Sequence, residues 1–151
     1  MKIKTVRFGE LEVADENIFV MPEGLVGLDH ARRFCVLEEA PGSPIKWLQV
    51  IDEPALAFVA INPYDFYPDY EFEVCGKDAE LVGLDGLEEA AVLVLLTIGS
   101  GGREVTANLV APVVVGMKAR KAKQVILQND KYSTKHLLCS APQTTCDAQS
   151  R

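Results

Sequence analysis

At 151 residues, 48% hydrophobic and 25% charged, the chain is long enough to bury one core and short for two domains, and it lacks the low hydrophobicity of a disordered polypeptide. No apolar run reaches the length of a membrane-spanning helix, and Met1-Lys2-Ile3-Lys4 does not open a signal peptide, so a folded cytoplasmic protein with no membrane association is expected. The net charge of -7 conceals an asymmetry: residues 10 to 89 carry 19 acidic against four basic side chains, whereas Lys118, Arg120, Lys121, Lys123, Lys131 and Lys135 face a single acid, Asp130, between positions 118 and 135.

In chain order, Ile3–Phe8 alternates faces and reverses at Phe8-Gly9-Glu10-Leu11 into a second strand, so a hairpin opens the fold. Pro22–Gly27 is a turn-rich loop following a strand at Ile18–Met21, and Leu28–Arg33 allows at most a short helix. Further strands are expected at Phe34–Glu38, Trp47–Ile51 and Ala57–Ile61. Lys77–Leu84 is a short helical connector, limited by Gly83 and Gly86. Ala91–Ile98 then forms a buried strand, Gly99–Gly102 turns, and Glu104–Val115 returns, with Pro112 forcing an edge, a bulge or a barrel corner. A last strand is expected at Gln124–Leu127, after a basic hairpin turn. The pattern predicts a mostly β protein: a small antiparallel β-barrel or sandwich-like single domain over residues 1–139, with one or two short helices and a disordered polar tail over 140–151.

The residues offer little to catalysis. His30 and His136 stand in no triad motif, Ser100 lies in a glycine turn rather than a G-x-S-x-G elbow, and no phosphate-binding loop follows Gly99–Gly102. Carboxylate pairs such as Glu38-Glu39 and Glu88-Glu89 are too frequent to single out an acid-base pair. The four cysteines, at 35, 75, 139 and 146, show no CxxC spacing and read as free thiols; a zinc or thiol site built on His136, Cys139 and Cys146 lacks a fourth ligand. No enzyme activity, metal or cofactor is therefore expected. The basic segment from 118 to 135 supports an alternative, direct RNA binding by a small barrel, but it lacks interleaved aromatic residues.

The most distinctive stretch is Ile61–Phe72, in which Tyr64, Phe66, Tyr67 and Tyr70 alternate with Asp65, Asp69 and two prolines. Pro63 and Pro68 bar it from a central strand and favour display of the rings near the surface, as anchors for a protein partner. Equally, the rings would cap one end of the barrel while the acids solvate the turn.

Phe8-Gly9-Glu10-Leu11-Glu12-Val13, Met21-Pro22-Glu23-Gly24-Leu25-Val26-Gly27, Trp47-Leu48-Gln49, Phe58–Pro63 with Asp69-Tyr70-Glu71-Phe72, Thr106–Val115, Arg120–Leu127 and Lys131-Tyr132-Ser133 together resemble the FliW flagellar assembly factors, in order, over roughly residues 3 to 138. The resemblance implies a non-catalytic protein that binds flagellin before export and, when free of it, binds the dimeric translational repressor CsrA by an allosteric contact, relieving repression of flagellin synthesis. Tyr64, Phe66, Tyr67 and Tyr70 are then candidate anchors for flagellin, and Asp65, Asp69, Glu71 and Glu73 candidate carboxylates for CsrA. Asn62, Asn108 and Pro112 carry over as matching motif positions that either touch a partner or shape the barrel.

Overall fold

The computed structural model describes residues 1–38, 40–83, 90–99, 104–128 and 131–140. The opening hairpin forms as expected: β1 (Lys2–Thr5) and β2 (Gly9–Glu12) pair antiparallel, with Gly9 at a φ of 73° that a glycine adopts without strain. The hairpin docks through Phe8, edge-on to Trp47 at 5.7 Å, and Arg7, whose guanidinium lies 4.3 Å from the Trp47 ring centre.

Four strands then meander: β3 (Ile18–Val20), β4 (Arg33–Glu38), β5 (Ile45–Val50) and β6 (Ala57–Ile61) pair antiparallel in sequence, and β6 pairs with the long β7 (Ala90–Ile98). The short helix allowed at Leu28–Arg33 does not form; Leu25 and Leu28 instead bridge across a tight turn, with Gly27 at φ 82°. The connector helix is α1 (Gly76–Leu81). Its C-terminal end lies against the barrel, where a side chain at Gly116 would collide with the Val82 carbonyl oxygen.

The strand expected over Glu104–Val115 is two strands, β8 (Glu104–Ala107) and β9 (Val113–Gly116), divided by a corner at Asn108–Pro112. Both lie along β7, β9 against its first half and β8 against its last three residues. Gly99 N–H donates to the Glu104 carbonyl at 2.7 Å and closes the β7–β8 hairpin; the remainder of the turn lies outside the described residues. After an exposed turn at 117–120, β10 (Lys121–Gln124) pairs antiparallel with β9 and, through Lys121 opposite Val20, parallel with β3. That parallel contact closes a seven-stranded barrel in the order β3-β4-β5-β6-β7-β9-β10. A strand absent from the sequence reading, β11 (His136–Ser140), adds to β8 outside the barrel. It runs one residue past the expected domain boundary; the rest of the expected tail, 141–151, lies outside the described residues.

The expected last strand at Gln124–Leu127 is displaced to 121–124. Beyond it the chain keeps its register, with Val125 N–H donating to the Pro112 carbonyl at 2.9 Å and Leu127 N–H to that of Val110 at 2.7 Å. The return bonds fail for a chemical reason: Pro112 has no N–H, and the N–H of Val110 is taken by the Asn108 side chain.

All seven barrel strands contribute to the lumen, which holds Phe19, Phe34, Leu48, Ala60, Leu93, Val113, Val115 and Ala122, and Met21, Leu25 and Ala31 join the same buried cluster. A second core lies outside the barrel wall: Val94 and Val114 point there, between lumen-facing neighbours, and meet Tyr70, Val82, Leu109 and Leu127. This explains the unbroken run Val113-Val114-Val115, apolar on both faces because both faces are covered. A third, smaller core of Ile3, Val13, Cys35 and Ile51 sits beneath the opening hairpin. Among the described residues no helix is long and apolar enough to cross a membrane.

Candidate functional site

The Ile61–Phe72 stretch covers the second core. Asn62 terminates β6 and caps a 3-10 turn at Pro63–Asp65, its Oδ1 accepting from Tyr64 N–H at 2.9 Å, while Pro63 supplies the fixed φ of the first turn and is buried. Phe66 and Tyr67 fold back half-buried against the core, and Phe72 follows.

Tyr70 is 2% exposed, and its hydroxyl donates to the Leu109 carbonyl at 2.6 Å. Burial, reinforced by the neighbouring Tyr64 and Tyr132 phenols, pushes its pKa far above the usual tyrosine range, so it remains a neutral donor. Around it the rings form one cluster: Tyr132 at 4.7 Å, Phe72 at 5.4 Å, Tyr64 at 5.9 Å and Tyr67 at 6.1 Å, centre to centre. His136 of β11 joins through Tyr67, at 5.6 Å, and lies nearly parallel to Phe66 at 5.9 Å.

The expectation of surface-displayed rings therefore needs correction. Tyr70 is a core residue holding the stretch to the barrel corner, Phe66 and Tyr67 are half-buried, and Tyr64, 41% exposed, is the ring most open to a partner. The candidate carboxylates are where a partner can reach them: Asp65, Asp69, Glu71 and Glu73 are all exposed. Asp65, Asp69 and Glu73 have no ion-pair partner among the described residues, and Glu71 has a loose one in Lys131 at 3.6 Å.

Asn108 and Pro112 belong to the corner. Asn108 Oδ1 accepts from the N–H of Val110 at 3.1 Å and of Ala111 at 3.2 Å, and Pro112 is fully buried. Pro112 is not placed to meet a partner, whereas Asn108 is half-buried; both shape the segment that receives the Tyr70 hydroxyl.

Sequence reasoning missed Tyr132, whose hydroxyl accepts from Glu71 N–H and donates to Glu71 O, each at 3.0 Å. It also missed His136 as a ring in this cluster; both lie more than sixty residues away in sequence, and only the pairing of β11 with β8 brings His136 here.

The basic strip is not a continuous cationic face. Lys123 is held between Asp78 at 2.6 Å and Glu23 at 3.2 Å, and Arg120 Nη1 donates to the Asp15 carbonyl. The Asp78 carboxyl sits below its usual range chiefly because Lys123 donates to it, and Lys123 is raised chiefly by the same bond. The RNA-binding alternative loses its central cation to this clasp. His136 is engaged by aromatic rings, and Cys146, the third residue of the zinc alternative, lies outside the described residues.

Comparison with known proteins bears on the whole barrel. Residues 2–138 match the family described as FliW protein. A flagellar assembly factor FliW from Alkaliphilus metalliredigens (strain QYMF) is 35% identical over 139 residues, covering 91% of this chain and 86% of that protein. The Bacillus subtilis (strain 168) protein of the same name is 34% identical, with 90% and 95% covered. A flagellar assembly factor FliW 2 from Desulfotalea psychrophila is 38% identical, with 88% and 87% covered. A crystal structure of the flagellar assembly factor FliW superposes with a TM-score of 0.85 at 34% identity, covering 95% of this chain and all of that one. The chain thus belongs to the FliW family of flagellar assembly factors.

Proposed function

We propose that this protein is a cytoplasmic, non-catalytic regulator that binds flagellin and, when free of it, binds the translational repressor CsrA, relieving repression of flagellin synthesis. The observation that carries the reading is family membership across residues 2–138, which includes every barrel strand and the aromatic-acidic stretch. The surface chemistry agrees with it. CsrA must present positive charge to hold RNA, and a partner bearing the exposed Asp65, Asp69, Glu71 and Glu73 is steered toward such a surface and raises the cost of RNA remaining bound. Flagellin's terminal helices carry apolar faces that need cover before assembly, and the exposed Tyr64 with the half-buried Phe66 and Tyr67 is the aromatic surface this stretch offers.

The test is calorimetric titration of the purified full chain with purified flagellin and with purified CsrA, each at low and at raised salt. Saturable binding to both, weakened by salt for CsrA, is expected. Binding to neither rejects the proposal, and salt-independent CsrA binding rejects its electrostatic part.

A further inference from the structure

Among the described residues, the continuation of β10 leaves one backbone edge open. Because the N–H groups of Val125 and Leu127 point toward Pro112 and Val110, the alternation of an extended chain directs those of Ile126 and Gln128 the opposite way. Among the described residues neither Ile126 nor Gln128 has a backbone hydrogen-bond partner, and the Ile126 side chain is 50% exposed. Across the groove from this edge runs the segment 71–75, which belongs to no helix or strand and in which Phe72, Glu73 and Val74 likewise have no backbone partner among the described residues. The Tyr132 hydroxyl pins its first residue, Glu71, by both backbone groups.

Between the two chains lies a groove of about 650 Å³. Four consecutive residues, 125 to 128, line it. A groove over the face of a strand would be lined by every second residue, so the approach is edge-on. Its floor is apolar, with Phe72, Val125 and Leu127, and its rim carries Glu71 and Glu73. The third carboxylate, Asp78, is already neutralised by Lys123.

We propose that this groove receives an extended segment of a partner protein, added as a strand to the 126–128 edge, in which basic residues alternate with apolar ones. The backbone edge supplies the pairing, the floor takes the apolar side chains, and the two exposed glutamates select the cations. Lys131 also lines the groove, 3.6 Å from Glu71 and 5.8 Å from the centre of the Tyr132 ring, so Glu73 is the rim glutamate without an ion-pair partner among the described residues. The glutamates outnumber Lys131 on the rim, which disfavours a phosphate-bearing strand as occupant. The groove shares Glu71 and Glu73 with the surface proposed for CsrA, but the mode of recognition does not depend on which protein supplies the segment.

The probe is a capped seven-residue peptide alternating Lys and Val, titrated into the isotope-labelled full chain and followed by amide NMR shifts. Three comparison peptides accompany it: one alternating Glu and Val, and two of the Lys-Val sequence methylated on every second backbone nitrogen, in either frame. The groove predicts saturable shifts centred on 72–74 and 126–128, at least about tenfold weaker binding for one methylated frame, and no measurable binding by the Glu-Val peptide. Glu71→Gln with Glu73→Gln should weaken the Lys-Val peptide while leaving the thermal midpoint in place. Absence of binding, shifts centred elsewhere, both methylated frames binding as tightly as the parent, or equal binding by the Glu-Val peptide each overturns the proposal.

Discussion

The hydroxyl of Tyr70 and the carbonyl of Leu109 are joined by a 2.6 Å hydrogen bond across the second core, tying the aromatic-acidic stretch to the corner between β8 and β9. Both residues are buried, so removal of the hydroxyl leaves a carbonyl acceptor without water or partner. Tyr70→Phe should therefore cost ~1–3 kcal/mol in urea unfolding. An unchanged midpoint would show that the bond is not holding the stretch.

The same burial sets a pH dependence. Tyr70 in the fold has a pKa raised above its ordinary 10.0, so above pH 10 the unfolded chain releases this proton while the folded one retains it. The unfolded state then binds fewer protons, and stability falls as pH rises from the unfolded pKa toward the folded one. Thermal midpoints measured upward from pH 10 should decline less steeply in Tyr70→Phe than in the parent.

Lys123 links β10 to α1 through Asp78 and to the 22–27 loop through Glu23. Asp78 is largely covered and its pKa depressed, so its contribution is present above its ordinary value of 3.8 and is lost as pH falls through the folded pKa. Lys123→Met should cost ~1.5–3 kcal/mol at neutral pH, with the Glu23 contact adding little because that carboxylate is exposed. The gap between variant and parent should close in acid unfolding below pH 3.8.

Asn108 shapes the corner with one oxygen accepting two backbone N–H groups. Asn108→Ala should cost ~1–2 kcal/mol, and Asn108→Asp, which keeps an acceptor in place, should recover most of it in the same denaturation assay. Equal losses in the two variants would mean that something other than the acceptor matters.

Much of the barrel was legible in the sequence because its signals are local. The opening hairpin, the four strands from β3 to β6, β7 and the break at Pro112 follow from β-branched runs, turn residues and one missing donor. The unread parts depend on contacts distant in sequence. Barrel closure rests on Lys121 meeting Val20 in parallel, and β11 has few β-branched residues and is a strand because β8 offers it an edge. Segment 124–127 carries a strand pattern, but its partner cannot return the hydrogen bonds. The aromatic stretch was legible as unusual and its carboxylates as exposed. Which ring is buried was not, because Tyr70 differs from Tyr64 only in what lies across from it, Leu109 and Tyr132.

That distinction changes which substitutions probe binding. Tyr70→Ala tests folding, whereas Tyr64→Ala, at a 41% exposed ring whose described ring contact is with Tyr70, should cost about 0.5–1.5 kcal/mol, well below Tyr70→Ala, while weakening flagellin binding. Full flagellin affinity in Tyr64→Ala combined with Tyr67→Ala would remove these rings from that role.

The most direct test of the regulatory account is competition. A complex of the full chain with CsrA is immobilised through CsrA, purified flagellin is added, and the chain retained is measured, in parallel with a chain in which Asp65, Asp69, Glu71 and Glu73 are neutralised. The account predicts that the parent chain binds CsrA, that flagellin releases it in proportion to its concentration, and that the neutralised chain is poorly retained from the start. No retention of the parent chain, or retention that flagellin does not alter, would contradict it.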